Sequence, residues 1–147
     1  MKISTKGRYA LRVLVDLAGY DRHEYVALKD IAEKQSISKK YLEQIVPVLT
    51  HAGMLATNRG YQGGYRLSRD PSKITCGEVL RLTEGSLAPI ACLENGLENN
   101  DCERKVDCMT LPVWTGLYEV INKYLDGISI QDIIDQSNTL GGDDYII

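Results

Sequence analysis

Ser38 to Leu67, SKKYLEQIVPVLTHAGMLATNRGYQGGYRL, decides the fold. Its first half repeats with helical spacing. Turning about 100° per residue puts Ile37, Tyr41, Leu42, Ile45, Val46, Val48 and Leu49 on one side. Lys39, Lys40, Glu43, Gln44 and Thr50 fall on the other. A break follows at His51-Ala52-Gly53. Met54-Leu55-Ala56-Thr57 and Tyr65-Arg66-Leu67 then flank Asn58-Arg59-Gly60-Tyr61-Gln62-Gly63-Gly64, which is strand, Gly-rich turn, strand. Pro47 inside the helix predicts a kink or a loosened turn, because proline donates no hydrogen bond there.

Working outward, VALKDIAEKQ at 26–35 predicts a short helix with Leu28, Ile31 and Ala32 inward. Ser36-Ile37-Ser38 is the turn, and Ser38 is a natural N-cap. Helix, turn, helix and hairpin make a winged helix-turn-helix, a mainly α fold with a small β-hairpin wing. In that arrangement the second helix enters the major groove, and the wing reaches backbone or minor groove. Lys can bond guanine, Gln adenine, and Glu can accept from cytosine. The candidate contacts to a double-stranded operator are therefore Ser38, Lys39, Lys40, Tyr41, Glu43 and Gln44 on the helix, with Arg59 and Tyr61 on the wing. Arg66 also flanks the wing turn. The competing reading is a solvated helix face beside a plain structural ribbon.

Charge supports the first reading once the chain is divided. The net charge of the 147 residues is −3. Residues 1–69 hold 12 Lys and Arg against 6 Asp and Glu, a net of +6, whereas residues 70–147 hold 5 against 14, a net of −9. A basic first half fits DNA, and the acidic second half fits another task. No apolar run is long enough to span a membrane and no signal core is evident, which predicts a cytoplasmic protein.

Helical spacing at Ala10, Val13, Leu14, Leu17 and Ala18 predicts the first helix, ended by Gly19. Lys2, Lys6, Arg8 and Arg12 lie near its start, which reads equally as a set of phosphate contacts or as a generic basic N-terminus. Thr75-Cys76-Gly77-Glu78 has capping-box spacing and opens a helix with Val79, Leu80 and Leu82 inward. Cys76 reads as a small buried residue. Leu111 to Leu125 predicts a long helix with an apolar stripe at Val113, Leu117, Val120, Ile121, Tyr124 and Leu125. The stripe could pack on its own domain, but the expected partner is the same helix of a second subunit, giving a homodimer suited to a palindromic site. Ser129 caps a short helix through Ile134. This divides the chain into a winged helix-turn-helix domain at 1–84, a cysteine-containing loop at 85–110, a dimerisation helix and short helix at 111–136, and a flexible tail at 137–147.

The loop carries Cys92, Cys102 and Cys108 without the paired knuckles of most structural zinc sites. Widely spaced thiolates on a loop can wrap an iron–sulfur cluster. Zinc, and free or disulfide-switching thiols, stay open as alternatives. An enzyme has little support. His23 and His51 lie in no triad or metal motif, and the glycines near Gly60 follow neither nucleotide-binding pattern.

Several stretches together resemble the winged-helix regulator family that includes IscR, NsrR and CymR. They are Ile3-Ser4-Thr5-Lys6-Gly7-Arg8-Tyr9-Ala10, Ser38-x-x-Tyr41-Leu42-Glu43-Gln44, Arg59-Gly60-x-x-Gly63-Gly64-Tyr65, Gly77-Glu78-Val79, the three-cysteine loop and Val113-Trp114. The resemblance runs from Met1 to about Asp135. It implies a homodimer built on the long helix, with cluster-dependent or thiol-dependent transcriptional control. By position it sets Lys39, Lys40, Glu43 and Gln44 in the major groove, Arg59 in the minor groove, and Cys92, Cys102 and Cys108 as cluster ligands. Glu43 would be a selectivity element. IscR-like members carry a histidine where this chain has Leu111, and NsrR-like members use a partner acid where it has Arg8. Cluster type, 2Fe–2S or 4Fe–4S, is therefore left undecided. Cluster-free members imply thiol oxidation or a partner protein instead. A zinc-stabilised interaction module is the reading outside the family.

Overall fold

A computed structural model describes residues 1–61 and 63–143. The chain forms helices α1 (Thr5–Ala18), α2 (Leu28–Gln35) and α3 (Lys39–His51), strands β1 (Leu55–Asn58) and β2 (Gly64–Leu67), then α4 (Cys76–Glu84), α5 (Leu111–Asp126) and α6 (Ile130–Asp143). The mainly α fold with one hairpin is the expected one. Side-chain caps explain several boundaries. Ser4 accepts from Gly7 N at α1 and Ser38 from Tyr41 N at α3. At α6, Ser129 Oγ accepts from Asp132 N, and the Asp132 carboxylate accepts from Ser129 N. Those bonds hold the Asp132 carboxyl below the usual range.

One core joins α1, α3, the wing and α6. Ala10, Val13 and Leu14 of α1 meet Leu42, Ile45 and Leu49 of α3, Ile31 of α2, and Ile130 of α6. The hairpin is antiparallel, with Leu55 opposite Leu67 and Asn58 opposite Gly64. Val26, expected to begin the α2 helix, is instead extended and bridges Tyr65. Val26 N donates to Tyr65 O and Tyr65 N donates to Val26 O, each at 2.8 Å. The wing is thus tied to the residues that lead into α2. Glycine at 64 is required, because a Cβ there would overlap the Val26 carbonyl.

Four local expectations are corrected. No loosened turn follows Pro47: α3 continues to His51, with Pro47 on its exposed side. Thr75 Oγ1 accepts from Glu78 N, but the Glu78 carboxylate turns to Arg69, at 2.7 Å, rather than closing the capping box. Leu82 is not inward but exposed. The helix expected to end near Ile134 runs on to Asp143, through much of the stretch expected as a flexible tail. Gln131 donates to Asp135, and Thr139 Oγ1 donates to Asp135 O, so polar side chains support the extra turns. Residues 144–147 of that expected tail lie outside the described residues.

The DNA-reading face and the cysteine loop

The exposed side of α3 is polar at helical spacing. Lys39, Lys40, Glu43, Gln44 and Pro47 are exposed, and Ser38 sits exposed at the N-cap. The opposite side, with Leu42, Ile45, Val46 and Leu49, is buried. That burial fixes the helix rotation and so the direction of the polar side chains. Tyr41 belongs to neither set. It is half-buried, with its ring edge-on to Tyr9 of α1 at 5.5 Å between centroids. Arg12 lies over the other tyrosine's ring and donates to Gln35 at the end of α2. Tyr9, Arg12 and Tyr41 therefore brace α3 against α1, and Arg12 is committed to this brace rather than held out toward phosphates.

The wing places Arg59 and Tyr61 at its exposed turn, and Tyr61 has no cover at all. Arg66 does not join them. It folds back over the Tyr25 ring and donates to the Arg22 carbonyl at 2.8 Å. A groove runs between α3 and the wing, bounded by Pro47, Thr50 and His51 on one side and Thr57, Asn58 and Arg59 on the other. His51, Thr57 and Asn58 were not among the sequence candidates. Only the folding of the hairpin back along α3 brings them to this groove.

The loop after α4 is more ordered than its lack of periodicity suggests. Leu87 and Leu93 are buried and pin it, and Asn100, also buried, accepts from Cys102 N at 2.9 Å. Cys92, Cys102 and Cys108 are unpaired and half-buried. Among the described residues, no three His, Cys, Asp or Glu side chains converge as a metal-holding group. The donors are of the right kind for an iron–sulfur cluster, but this fold does not present them as a preassembled site. The Thr110 hydroxyl, 3.5 Å from Sγ, with nearby N–H groups and the Arg104 charge, holds the Cys108 thiol below the usual cysteine range. Burial pushes the Cys76 thiol up. Thiolate is the reactive form, so Cys108 is expected to alkylate with iodoacetamide at a lower pH than a free cysteine does. Cys76 should stay unlabelled until the protein unfolds. Mass spectrometry after timed labelling checks both, and equal labelling of the two would contradict the assignment.

Beyond the loop, α5 buries none of its residues fully. The expected single stripe is two faces. Ile121 and Leu125 are half-buried, on the side where Asn122 accepts from Arg81 of α4. Val113, Leu117, Val120 and Tyr124 point away and are exposed, at alternating spacings of four, three and four. That alternation is the spacing of a helix-pairing seam. Meanwhile α6 returns to pack on α1.

A buried-backed polar helix beside an exposed wing defines a winged-helix DNA-binding protein. The chain belongs to the Rrf2 family, described as "Iron-dependent Transcriptional regulator", whose model matches residues 3–136. It is 35% identical over 134 residues to Protein rrf2 of Nitratidesulfovibrio vulgaris, covering 91% of this chain and 87% of that one. The solved structure of CymR (YrzC), the global cysteine regulator of B. subtilis, is similar with a TM-score of 0.75 and 34% identity, covering 92% of this chain and 98% of that one. The T. potens IscR structure is similar with a TM-score of 0.72 and 36% identity, covering 93% and 88%. The protein is a DNA-binding transcriptional regulator and not an enzyme. No helix among the described residues is long and apolar enough to cross a membrane.

Proposed function

We propose that the protein is a homodimeric regulator that reads a palindromic operator with α3 and the wing, and whose affinity is set by the three-cysteine loop. The observation that supports it is the exposed set Lys39, Lys40, Glu43 and Gln44, backed by the core and flanked by Arg59. Lys39, Lys40 and the α3 N-terminus at Ser38 would meet phosphate and groove edges. Gln44 and Glu43 would select bases, and Arg59 would enter the minor groove with Tyr61 at the wing tip. Tyr41 acts here through its packing on Tyr9 rather than by reaching the bases. Gln44→Ala is expected to weaken operator binding by about 1–3 kcal/mol per half-site and to relax specificity at one base pair in each. Lys39→Ala should weaken binding uniformly and lower the salt slope by about 2, one phosphate contact being lost in each half-site. Fluorescence anisotropy on a palindromic site upstream of its own gene, over a salt series, measures both. Binding indifferent to salt and to both variants would overturn this assignment.

The loop joins α4 directly to α5, so a change in the loop can alter how two reading helices are spaced. Three soft thiol donors support an iron–sulfur cluster, 2Fe–2S or 4Fe–4S, as the group it binds, and such a cluster would supply a redox- and iron-dependent state. Cys92, Cys102 and Cys108 would have to draw together to hold it. A second reading, thiol oxidation or a partner protein without a cluster, is favoured by the separated thiols and the acidified Cys108. Anaerobic reconstitution followed by an absorption spectrum and iron and sulfide analysis separates them. Coloured protein that bleaches in Cys102→Ala supports the cluster. Colourless, iron-free protein whose thiol count falls with peroxide supports the second reading. Similarity to transcriptional regulators along nearly the whole chain leaves no support for a zinc-stabilised module without a DNA role.

A further inference from the structure

A cavity of about 460 Å³ lies behind the helix-turn-helix, between α1, the end of α2 and α6. Asp16 is in its lining, with a side chain only 1% exposed. One carboxylate oxygen is 2.7 Å from Lys34 Nζ, and the other has no partner among the described residues. Buried polar atoms are nearly always paired, so this unpaired oxygen asks for a donor. Lys34 and Arg12 bring two positive charges to the same cavity, against the single negative charge of Asp16. The Asp16 carboxylate strengthens the hold of Lys34 on its proton. The rest of the wall is mixed: Leu11 and Val15 from α1 and Ile133 and Ile134 from α6 are aliphatic, and Gln35, Ser137 and Asn138 are polar.

We propose that this cavity binds a small aliphatic α-amino acid as an effector. The ammonium group of such a ligand donates to the unpartnered Asp16 oxygen, which it reaches by displacing the Lys34 side chain, 56% exposed, from its place over Asp16 and the Tyr20 ring. Its carboxylate then meets Lys34 and Arg12 Nη1, the one guanidinium nitrogen that the brace to Gln35 does not use, and its branched side chain packs on Leu11, Val15, Ile133 and Ile134. The volume admits a molecule of this size. The place suits control as well. Helix α2 ends at Gln35, and Ser36, in the left-handed region at φ 54°, turns the chain into the reading helix. A ligand spanning α1, the end of α2 and α6 braces that turn against the helix that follows α5. Occupancy thereby biases the position of α3, and operator affinity changes with it.

Isothermal titration of the full-length protein with L-leucine, L-isoleucine and L-valine tests this. Isovalerate and isoamylamine, which lack the ammonium or the carboxylate, are the comparison probes. Saturable binding of at least one of the three amino acids is expected, about tenfold or more tighter than either analogue. Ile134→Trp, which fills the cavity, should abolish it, and Asp16→Asn should weaken it about tenfold or more. Circular dichroism establishes that each variant folds, and Ile134→Trp carries the test if Asp16→Asn does not. Operator affinity measured with and without the amino acid should change in the parent protein and not in Ile134→Trp. Absence of saturable heat from all three amino acids, analogues binding as tightly, or binding unchanged in Ile134→Trp would overturn the proposal.

Discussion

Replacing Val120 and Tyr124 together by aspartate is expected to leave a folded monomer that no longer holds a palindromic operator. Val113, Leu117, Val120 and Tyr124 are 61%, 42%, 64% and 66% exposed on one seam of α5. Fully burying a side chain of this kind stabilises by about 1.5–3 kcal/mol, so eight of them across two subunits supply on the order of 10 kcal/mol toward association. Two aspartates per subunit remove half of that and bring like charges together in a closed interface, where each unpaired charge costs several kcal/mol. The dimer dissociation constant should rise by at least about 100-fold. Operator affinity should fall at least as far, because each half-site is then bound separately. Sedimentation velocity and anisotropy read the two effects. The fold itself should survive, since these side chains touch no part of the core. A double variant that remains dimeric would move the interface elsewhere.

The second large effect is on stability. Gly64→Ala drives a methyl group into the Val26 carbonyl and leaves Ala27 N 2.9 Å from the new carbon. Either the alanine is overpacked, at a cost of about 1–3 kcal/mol, or the bridge opens and its two 2.8 Å hydrogen bonds are lost, at about 1 kcal/mol each. The midpoint of thermal unfolding should drop by roughly 10 °C, using a few degrees per kcal/mol for a chain of this length. Because the bridge ties the wing to the residues before α2, operator binding should weaken even where the variant is folded. Circular dichroism melts and anisotropy at a permissive temperature separate the two losses. An unchanged melting point would show that Val26 and Tyr65 do not need this close approach.

Much of this molecule was legible in its sequence because the deciding signals are local. The apolar spacing in Tyr41–Leu49, the Ser38 cap and the Gly-rich turn at 58–64 each act within a few residues, and together they specify a winged helix-turn-helix. The polar face of α3 follows from the same periodicity, since a helix that buries Leu42, Ile45 and Leu49 must expose Lys39, Lys40, Glu43 and Gln44. Side chains that serve two masters were less legible. Tyr41, Arg12 and Arg66 have the chemistry of DNA contacts, yet packing on Tyr9, the end of α2 and Tyr25 claims them. No spacing rule announces those partners, which lie between 23 and 44 residues away for the two arginines.

By itself, then, the sequence determined the reading helix, its wing and the identity of the three thiols, because backbone periodicity and turn chemistry are encoded residue by residue. The tertiary structure alone decided the Val26–Tyr65 bridge, the division of α5 into an inner and an outer face, and the return of α6 onto α1. It also decided that Cys92, Cys102 and Cys108 do not converge as a group of three in the single chain, and that Asp16 lies buried with one oxygen unpartnered among the described residues. Each of these depends on which distant surfaces meet when the core closes, and that closure is set by the sum of many weak contacts that no short stretch contains.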